Sequence, residues 1–355
     1  MVNPAARHPP LKPGQIDAPH RRAVLGDLKL KSGEVIRDFE LSYVTHGELN
    51  AERDNTVLVA ASLSGNHHRL DFLIGPGKAL DPDRYFIVCV DSIGNGLTTS
   101  PSNSRAQPGM RFPRFTIRDM VSSQHRLLED EFRLDRVHAV VGASMGGMQA
   151  LQWGISHPDF MRCLVAMTPM VRAAPWACAV LETARRALTA DPAWNGHEFT
   201  AYPERGWRAW TGVMSVLAGR TPRALEEMFS NPGDVSSWIE QVTKDNIANG
   251  FDATDWLYQS WAYEAHDVGT TPGFGGNTTV ALGSIRARAL ILAPPLDLFN
   301  PVQCAQEAAD AIAGATLIEI PSVQGHQAAT SLKAEDAGFL NEEIGEFLKS
   351  LPNEP

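Results

Sequence analysis

Little in this chain points toward metal, membrane or nucleic acid. Only four cysteines occur among 355 residues. Cys89, Cys163, Cys178 and Cys304 are scattered, with no Cys-x-x-Cys pair and no His-x-His. That spacing offers neither a zinc-ligand set nor a disulfide framework, and it fits free thiols in a reducing cytoplasm. No run approaches the ~18 apolar residues of a membrane span. The opening MVNPAARHPPLKPGQ lacks the apolar centre of a signal peptide, and its prolines keep it out of helix and sheet. Residues 1–15 are therefore read as a flexible arm. Positive charge is also short: 31 Lys and Arg stand against 41 Asp and Glu, a formal net charge of −10. This excludes an extended nucleic-acid footprint and does not suit an anionic membrane surface. A small-molecule partner and a cytoplasmic location are the expectations that remain.

What the chain does have is alternation. Apolar runs at Ala23–Leu30, Phe39–Thr45, Thr56–Leu63, Tyr85–Asp91, Val137–Gly142, Arg162–Thr168, Arg288–Ala293 and Thr316–Ile320 read as strands. Several are nearly continuous in Val, Ile, Leu and Ala, as strands buried on both faces of a parallel sheet must be. The first two alternate more, as an antiparallel edge hairpin would. Strands interleaved with helical segments predict an α/β fold with a mostly parallel, doubly wound sheet. The alternation stops near residue 172 and resumes near 286. Between these points lie helical stretches at Pro175–Thr189, Gly206–Leu217, Pro222–Phe229, Val235–Ala248 and Thr254–Ala265, and the region as a whole carries seven of the eight tryptophans. The expected organisation is a core of residues 16–172 and 283–355 with a helical lid, 173–282, inserted into it.

One segment carries chemistry. The apolar run Val137–Gly142 leads straight into Gly142-Ala-Ser-Met-Gly146, and a helix-forming run follows. A G-x-S-x-G between strand and helix is a nucleophile elbow of the kind the α/β-hydrolase fold uses, with small residues crowded around a strained serine. Ser144 is the expected nucleophile. A serine hydroxyl needs a base, and in this fold the acid and histidine follow later in the chain. Asp297, just past Arg288–Ala293, is the candidate acid. His326, just past Thr316–Ile320, is the candidate base, and Gly325 lets its loop bend. The oxyanion hole needs two backbone N–H groups. Met145, after the nucleophile, and Leu63, in the loop after Thr56–Ala61, are the choices. Asp91, in Asp91-Ser-Ile-Gly-Asn-Gly96, reads as structural. His67 and His68 read as exposed loop or pocket wall rather than metal ligands, so no metal site is expected.

Across most of its length the chain resembles the homoserine O-acetyltransferase family. The resemblance rests on Leu41-Ser-Tyr-Val-Thr-His-Gly-Glu-Leu-Asn50, on Ile74–Phe86, on Phe115-Thr-Ile-Arg-Asp-Met-Val121, on Gly142–Trp153 and on Phe251-Asp-Ala-Thr-Asp-Trp-Leu-Tyr258. It implies a Ser-His-Asp enzyme that passes an acetyl group from acetyl-CoA, a co-substrate, through the serine to an alcohol. No tightly bound cofactor is implied, and a homodimer through the lid helices is. Ser144 and His326 match the family positions. The acid aligns with Asp297 or with Leu296, and only Asp297 can do the chemistry. The family's acceptor-binding positions fall on Gly212, Gly219, Arg220, Tyr258 and Gln327. Glycine at 212 and 219 and glutamine at 327 replace the arginine, tyrosine and aspartate that would hold a zwitterionic amino acid. The acceptor implied is therefore not homoserine. Three functions remain open: acyl transfer to another small alcohol or amine, hydrolysis of an ester or amide by water at the same serine, and a non-catalytic binding module.

Overall fold

The structure, a computed structural model, describes residues 8–350. Eight strands form one sheet: β1 (Arg21–Lys29), β2 (Val35–His46), β3 (Thr56–Ala60), β4 (Phe86–Val90), β5 (Val137–Ala143), β6 (Met161–Met167), β7 (Arg288–Ala293) and β8 (Thr316–Glu319). Their spatial order is β1-β2-β4-β3-β5-β6-β7-β8. β1 and β2 form an antiparallel hairpin, and β2 runs antiparallel to β4. Every other pairing is parallel. The residues explain the difference. β3 and β4 are buried at every position, as strands covered by helices on both faces must be. β1 at the edge alternates between exposed and buried.

Helices α1 (Ile117–Arg126) and α2 (Met145–Ser156) follow β4 and β5, while α9 (Val302–Ala311) and α10 (Ala334–Lys349) follow β7 and β8. Between β6 and β7 the chain builds α3 (Pro175–Thr189), α4 (Glu204–Val213), α5 (Pro222–Met228), α6 (Asp234–Ala248), α7 (Ala253–Glu264) and the short α8 (Thr278–Gly283). α4 packs on α3 and α6, and α7 packs on α3. Trp207, Trp210 and Trp256 close this packing edge to face, with ring centroids 4.9 and 5.4 Å apart. All three are buried, so they act mainly as the insertion's own core. Trp176 instead stands about half exposed, at 49%.

Of the arm, residues 1–7 lie outside the described residues. From His8 to Gln15 the chain forms no helix or strand, yet it is tethered. The Ile16 N–H donates to Asp71 Oδ2 at 2.8 Å. The His8 ring packs against those of His67 and His68. Of the two readings of those histidines, exposed loop or pocket wall, the first does not hold: both are buried, at 4% and 8% exposure, and His68 lines a cavity. The 3₁₀ turn His67–Leu73 folds their rings under the arm. Among the described residues, no helix is long and apolar enough to cross a membrane.

Candidate active site

The site lies where β5, β7 and β8 end. Ser144 follows β5 directly, with φ +58° and ψ −122°, a strained backbone for a residue with a side chain. The crowding that requires glycine around it is severe. A Cβ on Gly142 would come 2.1 Å from the Gly146 carbonyl oxygen, and one on Gly146 would come 2.5 Å from that of Ala60. The strain is held by the Ser144 N–H, which donates to the Met167 carbonyl of the neighbouring strand at 2.9 Å. Ser144 heads α2 without capping it, so its hydroxyl is not used on the helix's own N–H groups.

That hydroxyl faces His326. Nε2 of the ring lies 2.8 Å from Ser144 Oγ, and Nδ1 lies 2.7 Å from Asp297 Oδ2. The Asp297 side chain is fully buried. Its other oxygen, Oδ1, accepts the N–H groups of Phe299 and Asn300 at 2.8 and 2.9 Å. A carboxylate held this way accepts from Nδ1–H, which leaves Nε2 as an acceptor for the serine proton. Leu296, the alternative acid position, points away at 43% exposure. Gly325 turns the histidine loop with φ +57°, and a Cβ there would strike Thr221 Cγ2 at 2.6 Å. The insertion therefore packs directly beside the imidazole.

The two proposed oxyanion donors are positioned by their neighbours. The Ser62 hydroxyl donates to the Ala143 carbonyl at 2.7 Å, tying the Leu63 loop to the elbow. Gln149 on α2 donates to the Ala61 carbonyl at 2.9 Å, and the Ser64 N–H donates to Gln259 on α7 at the same distance. Among the described residues, neither the Leu63 nor the Met145 N–H finds an acceptor.

Sequence reasoning missed a second layer. The Tyr263 hydroxyl, brought in by α7, meets the Ser144 hydroxyl and donates to Asn300 Oδ1 at 2.6 Å. Asn300 Nδ2 in turn donates to the Thr168 carbonyl at 2.7 Å, which fixes the amide's orientation. Burial raises the Tyr263 pKa far above its ordinary range, so this hydroxyl keeps its proton. No sequence signal marks residue 263, because it lies 119 positions from Ser144 on a helix of the insertion.

The expected substrate residues divide. Gly219 and Arg220 precede Thr221, whose hydroxyl donates to the Val323 carbonyl at 2.6 Å in the histidine loop. Arg220 donates to the Gly219 carbonyl but leaves Nε buried without a partner, and burial lowers its pKa. Gln327 is half-buried in the turn that carries His326. Gly212 lies on α4 with open space where a Cβ would stand. Tyr258 is not brought to the site. It is buried, its hydroxyl donates to the Phe112 carbonyl at 2.6 Å, and its ring stacks on Phe115. It anchors α7 to the segment before α1.

A cavity of about 390 Å³ opens beside the Leu63 loop, walled by Ser64, Gly65, Asn95, Tyr202, Asp255 and Trp256 among others. Ser144 does not line it, and Ser144 and His326 are only 5% and 8% exposed. Both side chains are thus largely shielded from solvent.

The chain matches known proteins in both sequence and fold. A family described as the alpha/beta hydrolase fold matches residues 58–260. A homoserine O-acetyltransferase of Methanosalsum zhilinae is 32% identical, over 92% of this chain and 71% of that protein. A probable esterase of Corynebacterium glutamicum is also 32% identical, over 88% of this chain and 90% of its own length. The structure of an acetylester hydrolase from Corynebacterium glutamicum superposes with a TM-score of 0.87 at 28% identity, covering 94% of this chain and 96% of that one. On fold, sequence and coverage, the chain belongs to the homoserine O-acetyltransferase-like family of α/β-hydrolase-fold enzymes.

Proposed function

We propose that this protein is a serine esterase for small acyl esters, working through an acyl-Ser144 intermediate. The observation that carries the reading is the unbroken chain from Asp297 through His326 to Ser144 on a strained elbow. His326 Nε2 takes the serine proton as Oγ attacks the ester carbonyl. The Leu63 and Met145 N–H groups hold the oxyanion, and the imidazolium returns the proton to the leaving alcohol. Water, activated by the same imidazole, then releases the acid and regenerates Ser144. Water is preferred as second nucleophile because Gly212, Gly219 and Gln327 make no provision for a zwitterionic amino acid. The 32% identity to an acetyltransferase supports a second reading, in which a small alcohol takes the acyl group from acetyl-CoA. In either case we assign Arg220, a half-buried cation with no carboxylate partner among the described residues, to an anionic group on the substrate.

The test is p-nitrophenyl acetate hydrolysis with and without added alcohols, beside CoA release from acetyl-CoA. Expected are ester turnover abolished by Ser144→Ala, labelling of Ser144 by a fluorophosphonate, and no CoA release. Arg220→Met should raise KM for carboxylate-bearing esters and leave neutral ones unchanged. Alcohol-dependent CoA release would replace hydrolysis with transfer. An unlabelled Ser144 in folded protein would remove both readings and leave a binding module.

A further inference from the structure

Away from Ser144, four histidines meet under the arm. His8, His20, His67 and His68 have neighbouring ring centroids 4.2–5.7 Å apart. One ligand nitrogen from each of His8, His67 and His68 lies within 4.8 Å of the other two. The far side of two of these rings is already committed. His68 Nδ1 lies 2.7 Å from Asp71 Oδ2, and His67 Nδ1 lies 3.0 Å from Asp91 Oδ2. Both carboxylates are themselves anchored. Asp71 accepts the Ile16 N–H, and Asp91 accepts from Ser42 and from the His67 N–H.

These contacts leave the Nε2 side of both rings free of a carboxylate. Rings that donate Nδ1–H to a carboxylate carry a lone pair on Nε2. His68 Nε2 lies 3.0 Å from His8 Nε2. The ligand nitrogens of three imidazoles thus converge within 4.8 Å of one another in a mostly buried space. Imidazole nitrogens that converge in this way are a ready set of ligands for a cation. A carboxylate behind each ligand histidine is also the outer shell that orients metal-bound imidazoles.

We propose that His8, His67 and His68 form a divalent transition-metal site of the zinc type, oriented by Asp71 and Asp91. An all-imidazole set suits zinc, and three protein nitrogens with water as the fourth ligand is a known count for it. Bonds of about 2.0–2.1 Å in a tetrahedron place ligand nitrogens roughly 3.3 Å apart. The His8–His68 pair, at 3.0 Å, is close to that spacing, and the His67 nitrogen lies within 4.8 Å of both. The two carboxylates balance the ion's charge. Because His8 comes from the arm, the ion ties the arm to the turn that follows the Leu63 loop. Pro9, Pro10 and His68 all line the 390 Å³ cavity, so occupancy fixes one of its walls. The scattered sequence positions 8, 67 and 68 hide this set from any spacing rule.

Zinc titration of the chelator-stripped full chain by calorimetry tests the proposal, with cobalt(II) as a spectroscopic probe. One equivalent bound per chain is expected, with the visible absorption of four-coordinate cobalt. His8→Ala removes a ligand from the arm without touching the buried core, so its thermal melt without metal should match the wild type. Its zinc affinity should fall at least about tenfold, and Asp71→Asn should weaken binding about 10–100-fold. No uptake by the wild type, or equal uptake by His8→Ala, would overturn the site and leave the 3.0 Å contact as an ordinary N–H···N bond.

Discussion

Asp297 gives one carboxylate oxygen to the backbone and the other to an imidazole, and this division sets the tautomer of His326. Asp297→Asn keeps the shape but offers an N–H to Nδ1. The ring proton then moves to Nε2, which can no longer accept from Ser144. A fall in kcat of about 10⁴-fold is expected with the melting temperature little changed. Ester turnover near the wild-type rate would show that another group orients the histidine. Tyr263→Phe should act differently. It leaves Asn300 Oδ1 buried without its donor, which costs roughly 1–3 kcal/mol of stability. The contact from Ser144 Oγ to His326 Nε2 is left in place, so kcat should stay within about tenfold of wild type. A loss matching Asp297→Asn would place Tyr263 in the reaction itself. That Ser144, Asp297 and His326 would meet in space was legible in the sequence, because each follows a recognisable strand in the order this fold requires. Tyr263 was not, because helical spacing on α7 says which face packs and not what it packs against. Tyr258 was misplaced for a related reason: a family motif marks a residue without saying whether it binds or supports.

At the scale of elements, two glycines that look alike in the sequence have opposite structural meanings. Gly142 is the last residue but one of β5, where a Cβ would overlap the backbone of α2. Gly142→Ala must push the elbow apart and should destabilise by roughly 1–3 kcal/mol, with loss of Ser144 labelling. Gly212 lies inside α4, and a Cβ placed there would have nothing within 4 Å. Gly212→Ala should stabilise by about 0.5–1 kcal/mol through helix propensity alone. Denaturant midpoints of both variants check the pair, and a shift of the same sign in both would refute the packing argument. The strands themselves were largely readable, because burial on both faces leaves few polar positions in β3 to β6. The ends were less so. Thr56–Leu63 reads as one apolar run, but the strand stops at Ala60 because the Ser62 hydroxyl bonds to Ala143 and turns the chain toward the elbow. The stretch Gly206–Leu217 likewise continues as one helix in sequence, but it loosens into a wider turn at Met214–Ala218 before Gly219.

For the whole molecule, the seam between sheet and insertion makes stability depend on pH. The chain leaves the sheet after β6 and returns to it after α8, and His266, just past α7, pairs with the segment that leads out of β6. Its backbone carbonyl accepts the Ala173 N–H at 2.8 Å, and its Nε2 lies 3.2 Å from the Met170 carbonyl. Burial lowers its pKa to about 4 from the ordinary 6.5. A histidine with a depressed folded pKa contributes its full stability above the unfolded value. Between about pH 6.5 and 4 the unfolded chain holds a proton that the native chain does not, so stability falls as pH falls. At about 1.4 kcal/mol per pH unit, His266 accounts for about 3 kcal/mol by pH 4. Burial acts in the same direction on His138 and His157, at about 4 and 3. Asp255 works against them. Burial, with Asp252 beside it, raises its pKa, so it takes up a proton in the native state as the medium acidifies. The net slope of the wild type therefore mixes opposing groups, and the comparison that isolates His266 is with His266→Gln. Urea midpoints at about pH 7.5, 5.5 and 4.5 should fall more steeply for the wild type, by about one proton's linkage across the lower interval. Parallel slopes would mean that His266 already carries its proton in the native seam, and the insertion would then have to be held by contacts other than this neutral ring.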